Sequence, residues 1–222
     1  MGQFGIGQSV TRIEDLRLLT GGGTYADNVQ LDNESHAFVL RSPHAHAALS
    51  AIDTAAAQAA PGVLIVLTGD DLAGDNISPM PCMFPVTNLD ESANVKPERP
   101  LLAQGKVRHV GQPVALVVAE TLAQARAAVG MGQQYAAALE LIEVDYSPLP
   151  AATDTYRTTL DGAAQIHDDA PNNICFDWGK GDQVATEAAF AKAAHVTTLE
   201  LINNRVVVNP MEPRAAICDY DT

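Results

Sequence analysis

Residues 107–119 read VRHVGQPVALVVA, and the run from Val114 to Ala119 is apolar without interruption. A strand with no polar alternation is typical of a sheet that is covered on both of its faces. Thr121 follows the run and can cap a helix whose Ala-rich turns continue toward Glu140. The stretch therefore predicts a buried strand that leads directly into a helix.

The segments on either side of this strand supply further strands and helices. Alternation of apolar and polar residues indicates half-buried strands, and an Ala-rich run that stops at Pro61 indicates a short helix. The predicted order is β-β-α-β-loop-β-α-β, which describes a compact α+β domain at residues 20–150 after an N-terminal arm at residues 1–19. The strands are expected at 35–42, 48–53, 63–67, 114–119 and 141–146, and the helices at 54–60 and from 121 toward 140.

A long segment without a periodic pattern interrupts this domain. Residues 74–100 are rich in Pro, Asn, Asp and Ser, which predicts an ordered loop of about 27 residues. Loops of this length are often functional or lie at an interface. We therefore take residues 74–100 as the first candidate for contact with a partner.

The remaining third of the chain predicts only part of a second domain. Residues 151–180 are expected to form an extended linker, and residues 182–194 have a helical pattern. Strands are predicted at 195–201 and 215–220, and the sequence stops directly after the second of them. An uncovered edge strand invites aggregation unless something pairs with it. We therefore expect an incomplete domain at residues 181–222.

Composition excludes several classes of function. The formal net charge is −14, from 13 Lys and Arg against 27 Asp and Glu, and this charge would repel nucleic acid and anionic membrane surfaces. The same acidity is also consistent with simple solubility. No signal peptide and no apolar run near the roughly 18 residues of a membrane helix is seen, and an odd count of three cysteines fits a reducing compartment. A cytoplasmic protein without nucleic acid or membrane partners is expected.

Two kinds of side-chain pair could bind metal. His44 and His46 share one face of an extended segment, but no third ligand lies nearby in the sequence, so two ordinary polar residues in a turn are favoured. Carboxylate pairs occur at Asp168–Asp169 and at Asp219 with Asp221, without the glycine and spacing of a calcium loop. Solvated acids are the favoured interpretation of both.

Other motifs give no stronger signal. The glycines at 21–23 follow a polar arm, whereas glycine-rich phosphate loops follow a strand and open a helix; Gly130 and Gly132 similarly lack a preceding strand. Cys82 has no base beside it in the sequence. The residues thus assign no catalytic, cofactor-binding or metal-binding position, and an independent enzyme using His44, His46 or Cys82 is the least favoured possibility.

Six blocks in a fixed order nevertheless resemble a known family, and they span nearly the whole chain. The family is that of the large subunits of xanthine dehydrogenase and aldehyde oxidase, in particular the bacterial branch that contains aerobic carbon monoxide dehydrogenase. Six collinear blocks are far more specific than any single motif. The blocks lie at residues 5–27, 41–47, 61–72, 107–115, 140–150 and 209–214.

The resemblance implies an α/β hammerhead domain at residues 20–150 and the start of a molybdenum cofactor-binding domain from residue 181. Members of the family hydroxylate a carbon centre of an aldehyde, an N-heterocycle or carbon monoxide with oxygen taken from water. The molybdopterin-type cofactor belongs to the full complex, and iron–sulfur clusters and FAD are carried by partner subunits. This segment alone is expected to bind none of them and to pack against the remainder of the molybdenum-binding subunit.

Departures from the family pattern limit which of the family's residue roles can be assigned to this sequence. The glycine-rich segment that contacts the pterin, the substrate-loop cysteine of the carbon monoxide branch and the catalytic glutamate all lie downstream in the family and have no counterpart here. Glu212 lies in a family-like block, but a carboxylate next to Pro213 is expected to fix local structure. Residues 129–139 look like an insertion of roughly ten residues between helix and strand.

Two hypotheses follow from the sequence. In the first, the chain is a noncatalytic N-terminal segment of a molybdenum hydroxylase large subunit, either a truncated piece or one product of a split gene, and a partner chain supplies the pterin-binding residues. In the second, it is a stand-alone hammerhead interaction module without redox activity.

Overall fold

The computed structural model of the chain describes residue 7 and residues 11–130, 141–203, 209–210 and 214–220. The chain divides into two compact units, one formed by Ser35–Ala194 and the other by Met1–Glu34 together with His195–Thr222. None of the described helices is both long and apolar enough to cross a membrane. The larger unit carries all of the strands among the described residues.

The larger unit contains two antiparallel sheets of three strands each. The first, termed here the β5 sheet, has the strand order β1-β5-β3, and the second, the β2 sheet, has the order β4-β2-β6. The strands are β1 (His36–Arg41), β2 (Ala47–Asp53), β3 (Val63–Thr68), β4 (Lys106–Val107), β5 (Pro113–Ala119) and β6 (Glu143–Pro148). The helices are α1 (Asp15–Leu19), in the smaller unit, and α2 (Ala55–Gln58), α3 (Gly69–Gly74), α4 (Leu122–Ala128) and α5 (Gln183–Lys192).

Helices α2 and α4 cover one face of the β5 sheet. Ala115 and Val117 of β5 are fully buried there, against Ala57 of α2 and Ala128 of α4. Because these helix residues are small, the helices can approach the sheet closely, and removing this apolar surface from water stabilises the unit. The hydroxyl of Thr121 accepts a hydrogen bond from an amide in the first turn of α4, so the predicted cap is confirmed.

A second, smaller core joins the two sheets. It contains Ala47, Ala103, Val107 and Val114, each at most 2% exposed. Ile52 of β2 and Val144 of β6 contact both cores. The two sheets of the larger unit are therefore stabilised by one continuous set of apolar contacts.

The predicted α+β class and the five predicted strands of the first domain are confirmed, with small shifts of their ends. Helix α3 and the short strand β4 were not predicted. The strands predicted at 195–201 and 215–220 are wrong for the described residues, which have no regular structure there. An alternating pattern forms a strand only where a partner strand satisfies its backbone groups, and these segments have no such partner among the described residues.

The helix after β5 is shorter than expected over its described part. Helix α4 ends at Ala128, and Gly130, with φ +79°, donates its amide to the carbonyl of Ala127. Glycine adopts this backbone conformation without steric cost, so it ends the helix efficiently. Most of the apparent insertion at residues 129–139 lies outside the described residues.

Helix α3 begins in a confined position. Thr68 and Asp71 cap the helix reciprocally: the carboxylate of Asp71 accepts from the amide of Thr68 at 2.7 Å and from its hydroxyl at 2.6 Å. These hydrogen bonds from Thr68 hold the pKa of Asp71 below its ordinary value of 3.8. Gly69 is buried, and a Cβ atom there would lie 2.5 Å from the carbonyl oxygen of Ala103.

The segment from 151 to 180 contains two turns of 3₁₀ helix, Arg157–Thr159 and Pro171–Asn173. The side chain of Asn173 joins them. Its oxygen accepts from the amide of Ile166 at 2.9 Å, and its Nδ2 donates to the carbonyls of Thr158 and Ala164 at 2.8 and 2.9 Å. One side chain therefore satisfies three backbone groups of this segment.

The same segment is hydrogen-bonded at two places to the part of the larger unit that precedes it in the chain. Arg108 Nε donates to the carbonyl of Ile166 at 3.1 Å, and Lys106 Nζ lies 3.4 Å from the carboxylate of Asp168. Further along, Val95 donates its amide to the carbonyl of Cys175 at 2.8 Å. The path of the chain after β6 is thus fixed by hydrogen bonds as well as by its own turns.

The contacts of Gly69 predict that alanine substitution changes the stability very differently at the two glycines of helix α3. Gly69→Ala should lower the free energy of unfolding by about 2 kcal/mol or more, because the added methyl group meets backbone that cannot move aside. Gly74→Ala should be neutral or slightly stabilising, since a methyl group added there would have no other atom within 4 Å. Urea denaturation of both variants measures the difference, and equal stabilities would contradict the packing at Gly69.

The capping pair predicts a pH dependence. Because the pKa of Asp71 is lowered in the folded state, its stabilising effect is fully present above the unfolded value of 3.8 and is lost as the pH falls through the folded value. The loss of stability in Asp71→Asn should therefore be largest near neutral pH and shrink in acid. Denaturant titrations across this range measure it, with Asp70→Asn as the control for a charge change in the same helical turn.

The hydrogen bonds of Asn173 predict a local effect. Both Asn172 and Asn173 have positive φ values, 53° and 57°, so alanine is strained to a similar degree at either position. Only Asn173→Ala leaves three backbone groups without a partner, and we expect it to cost about 2 kcal/mol more than Asn172→Ala. Amide hydrogen exchange of residues 158–173 should rise in Asn173→Ala alone; equal exchange in both variants would contradict the assignment.

Candidate functional site at the Ser42–His46 turn

The turn after β1 is hydrogen-bonded to the turn before β5. Ser42 is 2% exposed; its amide donates to the carbonyl of Gln112 at 2.9 Å, and its carbonyl accepts from the amide of Gly111 at 2.8 Å. Its hydroxyl accepts from the amide of His44 at 3.0 Å. The Arg41 guanidinium donates to the carbonyl of Gly111 at 2.9 Å. Two of the six blocks that resemble the family, at 41–47 and 107–115, are therefore hydrogen-bonded to each other.

The turn before β5 needs its particular residues. Gly111 has φ +82°, a conformation that glycine adopts without strain. Gln112 is buried, and its side-chain oxygen accepts from the amide of Arg108 at 2.6 Å. The block at 107–115 therefore contains the residues that give this turn its conformation.

His46 is buried and has a structural partner. Its Nδ1 lies 2.7 Å from the carbonyl of Pro150, which can only accept, so this hydrogen bond requires the proton on Nδ1. The carbonyl of His46 accepts from the amide of Leu149. The other ring nitrogen, Nε2, is buried and has no hydrogen-bond partner among the described residues. His46 therefore attaches the end of β6 to the start of β2.

His44 has a different neighbour. Its ring packs on that of Tyr146 with a centroid separation of 4.7 Å and an interplanar angle of 48°. This tilted arrangement is a favourable ring contact. The two imidazoles thus have separate contacts, His44 with Tyr146 and His46 with Pro150, and the described part of the chain contains no group of three or more His, Cys, Asp or Glu side chains placed to bind a metal ion.

The described residues of the two acidic pairs lie at the surface. Asp168 and Asp169 are exposed, and Asp168 is paired with Lys106. Asp219 is exposed, and Asp221 lies outside the described residues. Burial and the neighbouring Arg108 lower the pKa of His167, while Asp169 and Asp168 act in the opposite direction.

The glycines at 21–23 end a helix. Gly21 has φ +77° and donates its amide to the carbonyl of Leu18, and Gly22 donates to that of Arg17 at 2.8 Å. These two bonds are the Schellman termination of helix α1. They put the glycines after a helix, whereas a phosphate loop precedes one.

Cys82 is exposed, and its Sγ lies 3.9 Å from the carbonyl of Phe84. Glu212 and Gly132 lie outside the described residues. A shallow cavity of about 100 Å³ lies between β2 and the start of α3 and is lined by Asp70 and Gln104 among others. Small-molecule sites are usually about 300–1,000 Å³, so this cavity is too small for a cofactor.

Sequence reasoning missed the hydrogen bonds that attach residues 151–180 to the rest of the unit. Asn173 was not singled out, although Pro171 followed by two asparagines is a turn signal because asparagine tolerates positive φ. The pairing of Arg108 with Ile166 joins residues 58 positions apart. No local pattern encodes a contact of that range.

Comparison with known proteins gives two family matches. Residues 20–150 match the family described as "Aldehyde oxidase and xanthine dehydrogenase, a/b hammerhead domain", and residues 166–222 match the "Molybdopterin cofactor-binding domain" family. The first match alone covers more than half of the chain.

Curated relatives and solved structures agree with these matches. The nicotine 6-hydroxylase large subunit of Paenarthrobacter nicotinovorans is 34% identical over 216 residues, which are 97% of this chain and 24% of the relative. The carbon monoxide dehydrogenase large chain of Afipia carboxidovorans is 34% identical over an alignment of 231 positions, which covers 98% of this chain and 26% of the relative. The structure of reconstituted carbon monoxide dehydrogenase from Oligotropha carboxidovorans is 33% identical with a TM-score of 0.66, over 86% of this chain and 23% of that one.

The chain thus spans about a quarter of the length of the curated relatives it matches. Quinoline 2-oxidoreductase from Pseudomonas putida 86 is also similar, at 42% identity and a TM-score of 0.58, over 73% of this chain and 19% of that one. The chain belongs to the xanthine dehydrogenase and aldehyde oxidase family of molybdenum hydroxylase large subunits and corresponds to their N-terminal part.

Proposed function

We propose that this chain acts as the N-terminal segment of the molybdopterin-binding subunit of an oxidoreductase that hydroxylates a carbon centre with oxygen from water. The observation that carries this proposal is the match to two consecutive family domains, the hammerhead domain and the cofactor-binding domain, in one chain. A stand-alone hammerhead module would not require the second match. The proposed division is an arm at 1–19, the hammerhead domain at 20–150, a linker at 151–180 and the start of the cofactor-binding domain at 181–222.

The described residues do not by themselves fit the molybdenum cofactor. Within the part that matches the cofactor-binding family, helix α5 has no buried residue, and residues 195–203 and 214–220 are exposed. A pterin cradle requires convergent polar groups in a concave site. We therefore assign no reaction step to this segment and propose that the remainder of the subunit supplies the cofactor site.

The role of this segment is structural in the proposal. The hydrogen bonds of Arg108 and Lys106 fix the linker on the hammerhead domain, so the point at which the chain enters the cofactor-binding domain is set by β4 and the turn after it. Iron–sulfur and FAD subunits would receive the electrons released in the reaction. We also propose a cytoplasmic location, supported by the odd number of cysteines.

The loop at 74–100 is our candidate for contact with those partner subunits. Two apolar side chains of the loop, Met83 and Phe84, are 83% and 76% exposed. Another part of the loop is paired within the unit: Leu89 donates its amide to the carbonyl of Asp177 at 2.9 Å, and the amide of Asp177 donates to the side chain of Asn88. Deleting the loop would therefore remove partners from the linker as well, and substitutions at Met83 and Phe84 are a cleaner test.

The proposed function predicts that the chain purifies from its own host with molybdenum and further polypeptide. Native mass spectrometry with metal analysis measures both. A chain that emerges alone and metal-free at its own mass would contradict the proposal and favour the stand-alone module.

The loop assignment predicts a loss of assembly without a loss of stability. The double variant Met83→Ser with Phe84→Ser should melt like the wild type, since both side chains are mostly exposed, but should recover less of the partner subunits in the same purification. Val110→Ser, at a residue 65% exposed in a different turn, is the control. Full recovery of partners with the double variant would exclude Met83 and Phe84 from the interface.

A further inference from the structure

A histidine lies where the segment after β6 contacts β4 and the turn after it. His167 is half-buried. The residue before it, Ile166, accepts a hydrogen bond at its carbonyl from Arg108 Nε at 3.1 Å, and the residue after it, Asp168, is paired with Lys106 at 3.4 Å. Residues 166–168 therefore form one contact with residues 106–108, and an ionisable ring lies in the middle of it.

Hydrogen bonds fix the backbone on both sides of the ring. Ile166 donates its amide to the side-chain oxygen of Asn173 at 2.9 Å. The carbonyl of His167 accepts from the amide of Ala170 at 3.1 Å. The backbone that carries the ring therefore cannot move away from Arg108 unless some of these hydrogen bonds break.

Charged side chains from three parts of the larger unit act on the ring. Arg108, after β4, and Arg99, in the loop at 74–100, disfavour a positive charge on it. Asp169 and Asp168, on the segment itself, favour one, but part of the charge of Asp168 is already balanced by Lys106. Burial, which is the largest effect, and Arg108 outweigh the two carboxylates, and they hold the pKa of this histidine below its ordinary value of 6.5.

We infer that His167 is a pH-sensitive switch for the attachment of the linker: the neutral ring allows residues 166–168 to lie against residues 106–108, and the protonated ring releases them. Protonation adds a positive charge beside the Arg108 guanidinium in a half-buried place, where water screens the repulsion poorly. Release exposes the ring to water and separates it from Arg108. This inference goes beyond the proposed function, because it concerns contacts within Ser35–Ala194 alone.

The lowered pKa sets the direction of the pH dependence. Above the ordinary value of 6.5 the ring of His167 is neutral whether the segment is attached or released, so the attachment is strongest there. As the pH falls from 6.5 through the lower pKa of the attached state, the released segment binds the proton more readily and the attachment weakens. Below that lower pKa both states are protonated, and the weakening stops.

Release of the segment should leave the first domain folded. The residues of the two cores all precede the linker at 151–180. In the proposed division, the segment is part of that linker, so mild acid would free the path of the chain between the two domains without unfolding the hammerhead domain. A local opening of this kind is distinct from global acid unfolding.

Amide hydrogen exchange of the purified chain tests the inference. Protection factors, which correct for the intrinsic pH dependence of exchange, are compared at about pH 7.5 and about pH 5.5, on either side of the ordinary value for histidine. The amides of Ile166 and Ala170 should lose protection several-fold at the lower pH. The amide of Val117 in β5 should keep its protection. Equal protection of Ile166 and Ala170 at both pH values would overturn the inference.

Removing the ring should remove the pH dependence. His167→Gln keeps a polar side chain without a titratable ring, so the loss of protection at the lower pH should disappear. His109→Gln, at an exposed histidine of the turn after β4, is the matched control and should retain the loss. A loss that persists in His167→Gln would assign the effect to another group and overturn the inference.

Asp169→Asn gives a second measurement that leaves the ring in place. Asp169 is exposed, and its carboxylate favours the protonated ring, so its removal should lower the pKa of His167 further. The loss of protection at Ala170 in acid should then grow. An NMR titration of the His167 ring measures the first effect and amide exchange the second. An unchanged or raised pKa of His167, or an unchanged loss of protection, would contradict the inference.

Discussion

Strand β5 is hydrogen-bonded along both of its edges, to β1 on one side and to β3 on the other, and the larger unit is organised around it. Burying a strand on the helix side leaves no room for polar residues there, so Ala115 and Val117 must be apolar and their helix neighbours small. The position of β5 also sets where α4 begins, because Thr121 both follows the strand and caps the helix. One strand thus fixes the sheet, the first core and the following helix.

The same strand depends on the turn that leads into it. Gly111 and Gln112 exchange backbone hydrogen bonds with Ser42, and Arg41 adds a bond from its side chain. These contacts align the end of β1 with the start of β5, at the point where the register of the two strands shifts. A turn with a positive φ at Gly111 and a buried Ser42 allows few substitutions, which accounts physically for two blocks of the family pattern lying at these positions.

Local signals made the elements of the first domain predictable. The alternation of apolar and polar residues, Pro61 after the Ala-rich run and the hydroxyl that caps α4 are short-range features that can be read directly from the residues. Helix α3 was not predicted because the helix that begins at its cap, formed by Thr68 and Asp71, is short. The strands expected beyond residue 194 were wrong because alternation indicates a strand only when a partner is available to it. The roles of His46 and Asn173 depend on partners up to 104 residues away, and no sequence pattern specifies such contacts.

Three of the blocks that carry the family resemblance are occupied by groups with structural roles. The block at 41–47 supplies a buried turn, the block at 61–72 supplies the cap of α3, and the block at 107–115 supplies the turn into β5. None of these roles involves a reacting atom. Family members that act on different substrates can therefore share this scaffold, because the geometry it preserves is that of the support and not that of the reaction. In the proposed function, this segment holds the cofactor-binding part in place, and residues elsewhere in the subunit carry out the chemistry.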